Sequence, residues 1–163
     1  MRIRGIELHV QDTGSGPPVL FSHGLLWSHE MFAPQVRALS ARFRCVAYDH
    51  RGQGRSEVPR ERTIEIETVT DDAIALIDAL GLAPCHFVGL SMGGFVGMRI
   101  AARRPELVRS LCLLETAADR EPRNRVESSE IEALMSARPR ESGDPVLALD
   151  SLSSQTKCNT FCG

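Results

Sequence analysis

Apolar residues in the first 115 or so positions form two alternating kinds of segment. The segments "PVLFSHG", "FRCVAY", "CHFVGL" and "VRSLCLLE" are continuous apolar runs, typical of strands buried on both faces, and "IELHV" alternates like a half-buried strand. Between them, "MFAPQVRALSARF", "TIEIETVTDDAIALIDALG" and "SMGGFVGMRIAARRP" place apolar residues at helical spacing. This alternation predicts an α/β fold with a mostly parallel sheet and helices on both faces.

The middle helical segment has its own start and stop signals. Val69, Ala73 and Leu76 lie on one predicted face. Thr63 is the predicted N-cap, and Gly81 suits a left-handed residue that closes the helix.

The character of the chain changes after Glu115. Residues 119–141 are rich in charge, and residues 142–163 pass from a short apolar start into Ser, Thr and Asn. We therefore expect a folded core over 1–118, a distinct segment over 119–141 and a mobile tail over 142–163 without a further strand.

Composition excludes several classes of function. The 163 residues suffice for one domain, and the net charge of −2 gives no electrostatic basis for binding nucleic acid or an anionic membrane. No apolar run reaches a membrane span or an N-terminal secretion signal. Five cysteines, an odd number, favour reduced thiols and a cytoplasmic protein. "CNTFC" lacks further Cys or His nearby and indicates a polar tail rather than a metal site.

The segment "GLSMGG" encloses Ser91 between glycines, directly after a predicted strand and before a predicted helix. This is the pattern of a nucleophile elbow, in which small neighbours allow a sharp turn that exposes the serine hydroxyl. The amide of Met92 then lies at a helix N-terminus, where it can donate to a developing oxyanion. The alternative is a glycine-rich loop that only allows close packing. A phosphate-binding loop is excluded because neither G-x-x-x-x-G-K-[ST] nor G-x-G-x-x-G occurs, and no cofactor is indicated.

Three segments in order resemble the α/β-hydrolase family: "FSHGLL", "YDHRGQGRS" and "FVGLSMGGFVGMRIAARRPELVRSLCLLETAAD". The resemblance covers residues 1 to about 120, so a partial fold that lacks the last strands is expected, with a cap segment opening at 119–141. Within the family, "GLSMGG" and "LLETAAD" look most like 3-oxoadipate enol-lactonases and cofactor-free haloperoxidase or esterase relatives.

The resemblance implies roles for individual residues. Ser91 would attack the carbonyl of a small-molecule ester or lactone, and the amides of Leu25 and Met92 would stabilise the oxyanion. Trp27 and Met92 would line an apolar substrate pocket, with plain packing as the alternative for both. His23 would support the oxyanion loop, or, as the alternative, act as the base.

Two further residues of the second motif, Asp49 and Arg51, are expected to brace the loop that follows their strand.

A general base for Ser91 is missing from the sequence. All five histidines precede Ser91, although in this family the triad histidine follows the serine. His86 is expected at the far end of the same strand, and His50 two strands away, roughly 10 Å off. Glu115 is a weak candidate for the acid, with Asp119 nearby. We therefore expect a serine hydrolase truncated before its histidine.

Two other interpretations stay open at this stage. The chain is alternatively a non-catalytic fragment or interaction module, with self-association through the exposed apolar edge of "VRSLCLLE". Perhydrolase or haloperoxidase chemistry would use the same serine with peroxide.

Overall fold

The computed structural model describes residues 1–60, 64–116 and 159–161, and defines only backbone pairing for the last three. The strands are β1 Arg2–Ile3, β2 Ile6–Glu7, β3 Val10–Thr13, β4 Pro18–Ser22, β5 Arg44–Tyr48, β6 Cys85–Leu90, β7 Val108–Leu114 and β8 Asn159–Phe161. The α-helices are α1 Ala33–Leu39, α2 Ile66–Leu80 and α3 Met92–Arg103, with 3-10 turns at His29–Phe32 and Pro105–Leu107. The predicted alternation of strands and helices is confirmed from β4 to β7.

The main sheet has the strand order β3-β5-β4-β6-β7-β8. Strands β4, β5, β6 and β7 are parallel to one another, and β3 and β8 pair antiparallel with β5 and β7 at the two edges. The expectation of a mostly parallel sheet is thus confirmed. "IELHV" does not form one strand, because β1 and β2 make a separate hairpin before β3 enters the sheet.

Helices cover both faces of the sheet, as the buried runs predict. Leu20 of β4 and Val46 of β5 belong to the apolar cluster that includes α2 and α3, whereas Val19 and Cys45 belong to the cluster on the α1 side. Neighbouring residues of a strand point to opposite faces, so each strand must be apolar at every position to serve both clusters.

The ends of α2 agree with one sequence signal. Gly81 closes the helix with a φ of 60° and donates its N–H to Asp78 and Ile77 carbonyls. The N-cap is Glu65, with no side-chain capping bond, and the predicted cap Thr63 lies outside the described residues. No helix within the described ranges is both long and apolar enough to cross a bilayer.

The structure corrects the expectation for the tail at one place. Asn159–Phe161 forms β8 and pairs with Leu111–Leu113 of β7, so the expected open edge of β7 is covered there. Self-association through the rest of that edge stays a prediction. The expected segments 119–141 and 142–158 lie outside the described residues.

Candidate active site

Ser91 occupies a sharp bend between β6 and α3. Its backbone has φ 48° and ψ −111°, a positive-φ conformation that L-residues rarely adopt. Its N–H donates to the Leu114 carbonyl of β7 at 2.9 Å, and its own carbonyl accepts the N–H groups of Gly94 and Phe95. The bend predicted from "GLSMGG" is therefore present.

Glycines make this bend possible because backbone atoms occupy the space that a side chain would need. A Cβ at Gly89 would lie 2.3 Å from the Gly93 carbonyl oxygen, and a Cβ at Gly93 would lie 2.0 Å from the Ser22 carbonyl oxygen. A Cβ at Gly94 would meet the Thr116 side chain at 2.4 Å. The helix start is thus pressed directly onto β4 and β6.

The turn after β4 faces the serine. A Cβ placed on Gly24 would lie 3.5 Å from the Cβ of Ser91, which is van der Waals contact. The backbone of Gly24 therefore lies directly opposite the Ser91 side chain. Leu25 and Trp27, on the same turn, expose 36% and 46% of their surface and do not belong to the core. The structure therefore brings Gly24 and Ser91 together, and leaves Trp27 at the surface of the turn.

The two amides predicted to bind an oxyanion belong to a helix N-terminus and to the turn opposite Ser91. Met92 is the first residue of α3, where N–H groups have no acceptor within the helix. Leu25 follows Gly24 in the turn opposite Ser91. Their roles stay predictions at this point.

A buried pair of histidines supports the turn. His23 Nδ1 lies 2.7 Å from the Gly24 carbonyl oxygen, which can only accept, so Nδ1 carries the proton. His23 Nε2 then accepts the N–H of His50 at 3.1 Å. Burial lowers the pKa of His23 and lowers that of His50 far more, so both rings are neutral at pH 7. His23 therefore has a supporting position and is not available as a base.

Asp49 organises the loop after β5. Its carboxylate accepts the His29 N–H at 2.6 Å, the His29 ring Nδ1 at 2.8 Å and the Arg55 N–H at 2.8 Å. Burial alone would raise the pKa of Asp49, but the bonds from Arg55 and His29 outweigh it and lower the pKa. Gly54 leaves room for this carboxylate, since a Cβ there would lie 2.3 Å from it.

Arg51 ties the same loop to α2. Its guanidinium makes two hydrogen bonds with the buried carboxylate of Asp72. The expectation that Asp49 and Arg51 brace this loop agrees with these contacts.

One group of side chains within the described ranges has metal-ligand chemistry. His9, His29 and Asp49 place one ligand atom each within 4.8 Å of one another. The Asp49 carboxylate already accepts three N–H groups, and it orients the His29 ring as the outer partner of a metal-bound histidine would. Only His9 and His29 would remain as direct ligands of an ion.

No base or acid reaches Ser91 among the residues that the structure describes. None of their histidines or carboxylates hydrogen bonds to its hydroxyl, and His50 and His86 lie where expected, two strands away and at the far end of β6. Glu115 follows β7 with a φ of 46° and an exposed side chain. Asp119 lies outside the described residues.

Backbone strain is concentrated at this edge of the sheet. Of the four non-glycine residues with positive φ in the described ranges, three follow the carboxyl ends of β4, β6 and β7: Leu26, Ser91 and Glu115. Such strain persists only where surrounding contacts impose it, and it is common at functional sites.

A family model with the description "alpha/beta hydrolase fold" matches residues 17–140. The chain belongs to the alpha/beta-hydrolase family. This confirms the resemblance drawn from the three motifs.

Curated relatives of this alpha/beta hydrolase include proteins named putative carbamate hydrolase RutD. The protein from Agrobacterium fabrum is 36% identical over 144 residues, which cover 82% of this chain and 54% of the relative. The protein from Caulobacter vibrioides is 40% identical over 110 residues, or 66% of this chain and 40% of the relative. The chain thus spans about half the length of the curated relatives it matches.

Solved structures of alpha/beta hydrolases superpose on the same region. The enol-lactonase from Burkholderia xenovorans has a TM-score of 0.67 and 41% identity, covering 71% of this chain and 46% of its own. A thermophilic esterase from Thermogutta terrifontis has a TM-score of 0.68 and 34% identity, covering 72% and 43%. Hydrolases are therefore the neighbours of this chain in both sequence and structure.

Two residues of the candidate site were missed by sequence reasoning. His29 binds Asp49, and Gln53 contacts both the turn after β4 and Met92. Gln53 lies inside the quoted motif "YDHRGQGRS", but nothing in the motif says which loop its amide reaches.

Proposed function

We propose that Ser91 is the nucleophile of a hydrolase that acts on a carboxylic ester or lactone. The observation that carries the proposal is the positive-φ bend at Ser91 between β6 and α3, with Gly24 directly opposite the Ser91 side chain. A glycine-rich loop that served only packing would not need a strained serine at this point.

The reaction follows from these positions. The Ser91 oxygen bonds to the carbonyl carbon, the carbonyl π pair moves to oxygen, and the hydroxyl proton passes to a base. The amides of Leu25 and Met92 bind the resulting oxyanion, each contributing about 3 kcal/mol of barrier lowering. Collapse of the intermediate breaks the bond to the leaving oxygen, which takes the proton back from the base, and water then hydrolyses the acyl-enzyme to a carboxylic acid and free Ser91.

A base must take the proton, because a neutral serine hydroxyl is a poor nucleophile. We propose that these 163 residues carry the nucleophile and the oxyanion donors but not the histidine, since every histidine precedes Ser91 and those at the site have other partners. Glu115 is the proposed acid candidate, supported by its place directly after β7, whose Leu114 accepts the Ser91 N–H.

The substrate class is supported by the relatives and by the exposed side chains. Neighbours named enol-lactonase, esterase and putative carbamate hydrolase all have names that denote cleavage at an acyl carbonyl. Trp27, largely exposed on the turn, and Met92 are the proposed apolar contacts for a small-molecule substrate.

Buried thiols support the proposed cytoplasmic location. Cys45 and Cys85 are buried and not in disulfides, and burial raises the pKa of Cys85 to about 11. These neutral thiols pack as small hydrophobic groups and suit a reducing compartment.

The proposal is tested by supplying the missing base. The 163-residue chain is mixed with p-nitrophenyl acetate and increasing imidazole, and acetylation of Ser91 is followed by mass spectrometry. We expect imidazole to accelerate acetylation about tenfold or more, because general-base assistance is the component that the site lacks. Ser91→Ala should show no such adduct, and Ser15→Ala, an exposed serine between β3 and β4, should behave as the unchanged chain.

Two results would contradict the proposal. Equal acetylation of the unchanged chain and Ser91→Ala would remove Ser91 from the chemistry and favour a non-catalytic module. Turnover at ordinary esterase rates without imidazole would instead show that the chain already contains a base. A peroxide-dependent halogenation assay on the same samples would detect perhydrolase or haloperoxidase chemistry.

A further inference from the structure

The turn that faces Ser91 has an unusual residue at its third position. The Trp27 N–H donates to the Gly24 carbonyl at 3.3 Å, so residues 24–27 form a β-turn. The φ is positive at Leu26, 63°, but not at Leu25, which defines the type II form. That third position is normally glycine, because a side chain is strained there. A contact from outside the turn must therefore stabilise the positive φ of Leu26.

Gln53 supplies the contact that distinguishes the two turn types. Its side chain is 3% exposed, and its Oε1 accepts the Leu26 N–H at 2.8 Å. The peptide between Leu25 and Leu26 points in opposite directions in type I and type II turns. The Leu26 N–H reaches Gln53 only in the type II form, so this bond opposes relaxation to the less strained type I form.

The contact of Gln53 with Met92 agrees with the amide orientation that the Leu26 N–H requires. Gln53 Nε2 lies 3.8 Å from Met92 Sδ. A thioether sulfur accepts hydrogen bonds and cannot donate them, so the NH₂ group faces Met92 and the oxygen faces Leu26. The Gln53 side chain thereby contacts both Met92, the first residue of α3, and the peptide between Leu25 and Leu26.

We infer that Gln53 is a positioning residue of the site, holding the 24–27 turn in its type II form through Leu26 while its NH₂ group contacts Met92. The inference rests on the proposed function, because its consequence concerns the Leu25 amide. A flip of the peptide between Leu25 and Leu26 reverses the direction of the Leu25 carbonyl, which is next to the proposed donor N–H. The backbone of the turn that faces Ser91 must then shift. Gln53 acts through the turn, without contact to the reacting atoms.

The first test measures the hydrogen bond without any reaction. Gln53→Met keeps the length of the side chain and removes the acceptor. We expect hydrogen exchange at the Leu26 amide, followed by NMR, to become about tenfold faster. The amides of Leu20 and Val46 in the central strands report whether the fold is intact. Gln11→Met, an exposed glutamine on β3, is the matched control and should leave Leu26 protected.

The second test asks whether the bond positions the site. In imidazole-assisted acetylation, Gln53→Met should slow modification of Ser91 about tenfold, as small misplacements of catalytic groups do. Adding Leu26→Gly should restore the rate to within about threefold of the unchanged chain, because glycine adopts positive φ without strain. A packing defect at position 53 would not respond to a glycine in the turn.

The outcomes separate this inference from the proposed function. Unchanged protection of Leu26 in Gln53→Met would overturn it, as would a double variant no faster than Gln53→Met alone. Absence of acetylation in the unchanged chain would instead overturn the proposed function. The exchange experiment would still decide whether Gln53 holds the turn.

Discussion

The elbow at Ser91 and the turn at Gly24–Trp27 face each other, and both contain a strained non-glycine residue, but they are held in different ways. At the elbow, backbone atoms fill the space beside Gly89 and Gly93, and the Ser91 N–H is bonded to the Leu114 carbonyl, so the bend is maintained by backbone packing and backbone hydrogen bonds. At the turn, Leu26 is held by the hydrogen bond that its N–H donates to Gln53 Oε1, on another loop.

The difference shows that one wall of the site is built from the sheet and the other from a network of polar side chains. The close backbone packing at the elbow does not depend on pH, since no titratable group takes part in it. The network includes Asp49, His23 and His50, all buried, and its strength depends on their protonation. The turn is therefore the more easily perturbed of the two walls.

The largest expected effect breaks the elbow. Gly93→Ala places a Cβ 2.0 Å from the Ser22 carbonyl oxygen, a backbone atom that cannot move aside. We expect the free energy of unfolding, measured by urea denaturation, to fall by more than about 3 kcal/mol. Gly24→Ala is the matched change in the turn: its Cβ would lie 3.1 Å from Leu90 Cδ2, a flexible side-chain end, and should cost less than about 1 kcal/mol. Similar losses of unfolding free energy in Gly93→Ala and Gly24→Ala would contradict the proposed difference between the elbow and the turn.

The next effect removes the centre of the polar network. In Asp49→Asn, one carboxylate oxygen becomes an NH₂ group that faces either the two N–H donors of His29 or the N–H of Arg55. We expect a loss of about 2–3 kcal/mol of unfolding free energy at pH 7. Because the folded-state pKa of Asp49 is lowered, its contribution is present above the unfolded pKa of about 3.9 and is lost as the pH falls through the folded value. The difference between the two proteins should therefore shrink in strong acid; a constant difference would contradict this origin.

A pH titration between 7 and 5 examines the two buried histidines. Burial lowers the pKa of His50 and of His23, so below about pH 6.5 the unfolded chain binds protons that the folded chain does not. Unfolding free energy should fall on acidification, by up to about 1.4 kcal/mol per pH unit for each ring. His50→Gln should reduce the slope, whereas His86→Gln, at the other end of the sheet, is the control. An equal slope in the unchanged chain and His50→Gln would count against this explanation.

The smallest effect separates backbone from side-chain contacts in the network. Arg55 donates its N–H to Asp49, while its guanidinium pairs with Glu30 in an exposed salt bridge, at 63% and 60% side-chain exposure. Arg55→Ala keeps the N–H, so the unfolding free energy should change by less than about 0.5 kcal/mol. A loss near that of Asp49→Asn would show that the side chain carries the network.

The pattern of apolar residues predicted most of the architecture. Continuous apolar runs became β4 to β7, and in β4 and β5 nearly every residue is buried because strands covered by helices on both faces need apolar residues at every position. Ser91 and the glycines around it marked the bend because a sharp turn leaves no room for side chains, a local requirement that the sequence states directly. These features can be recognised within short segments, although Gly93 also packs against Ser22 of β4.

The remaining features depend on which loops meet in space. The pairing of Asn159–Phe161 with β7 joins segments far apart in the sequence, and no periodicity in the polar tail predicts it. The contacts of Gln53 with Leu26 and of Asp49 with His29 join the loops after β4 and β5, which become neighbours only when those strands pair. A hydrogen bond is decided by distance and direction, which the folded sheet sets, whereas the composition of a short segment records only the local conformation it can adopt.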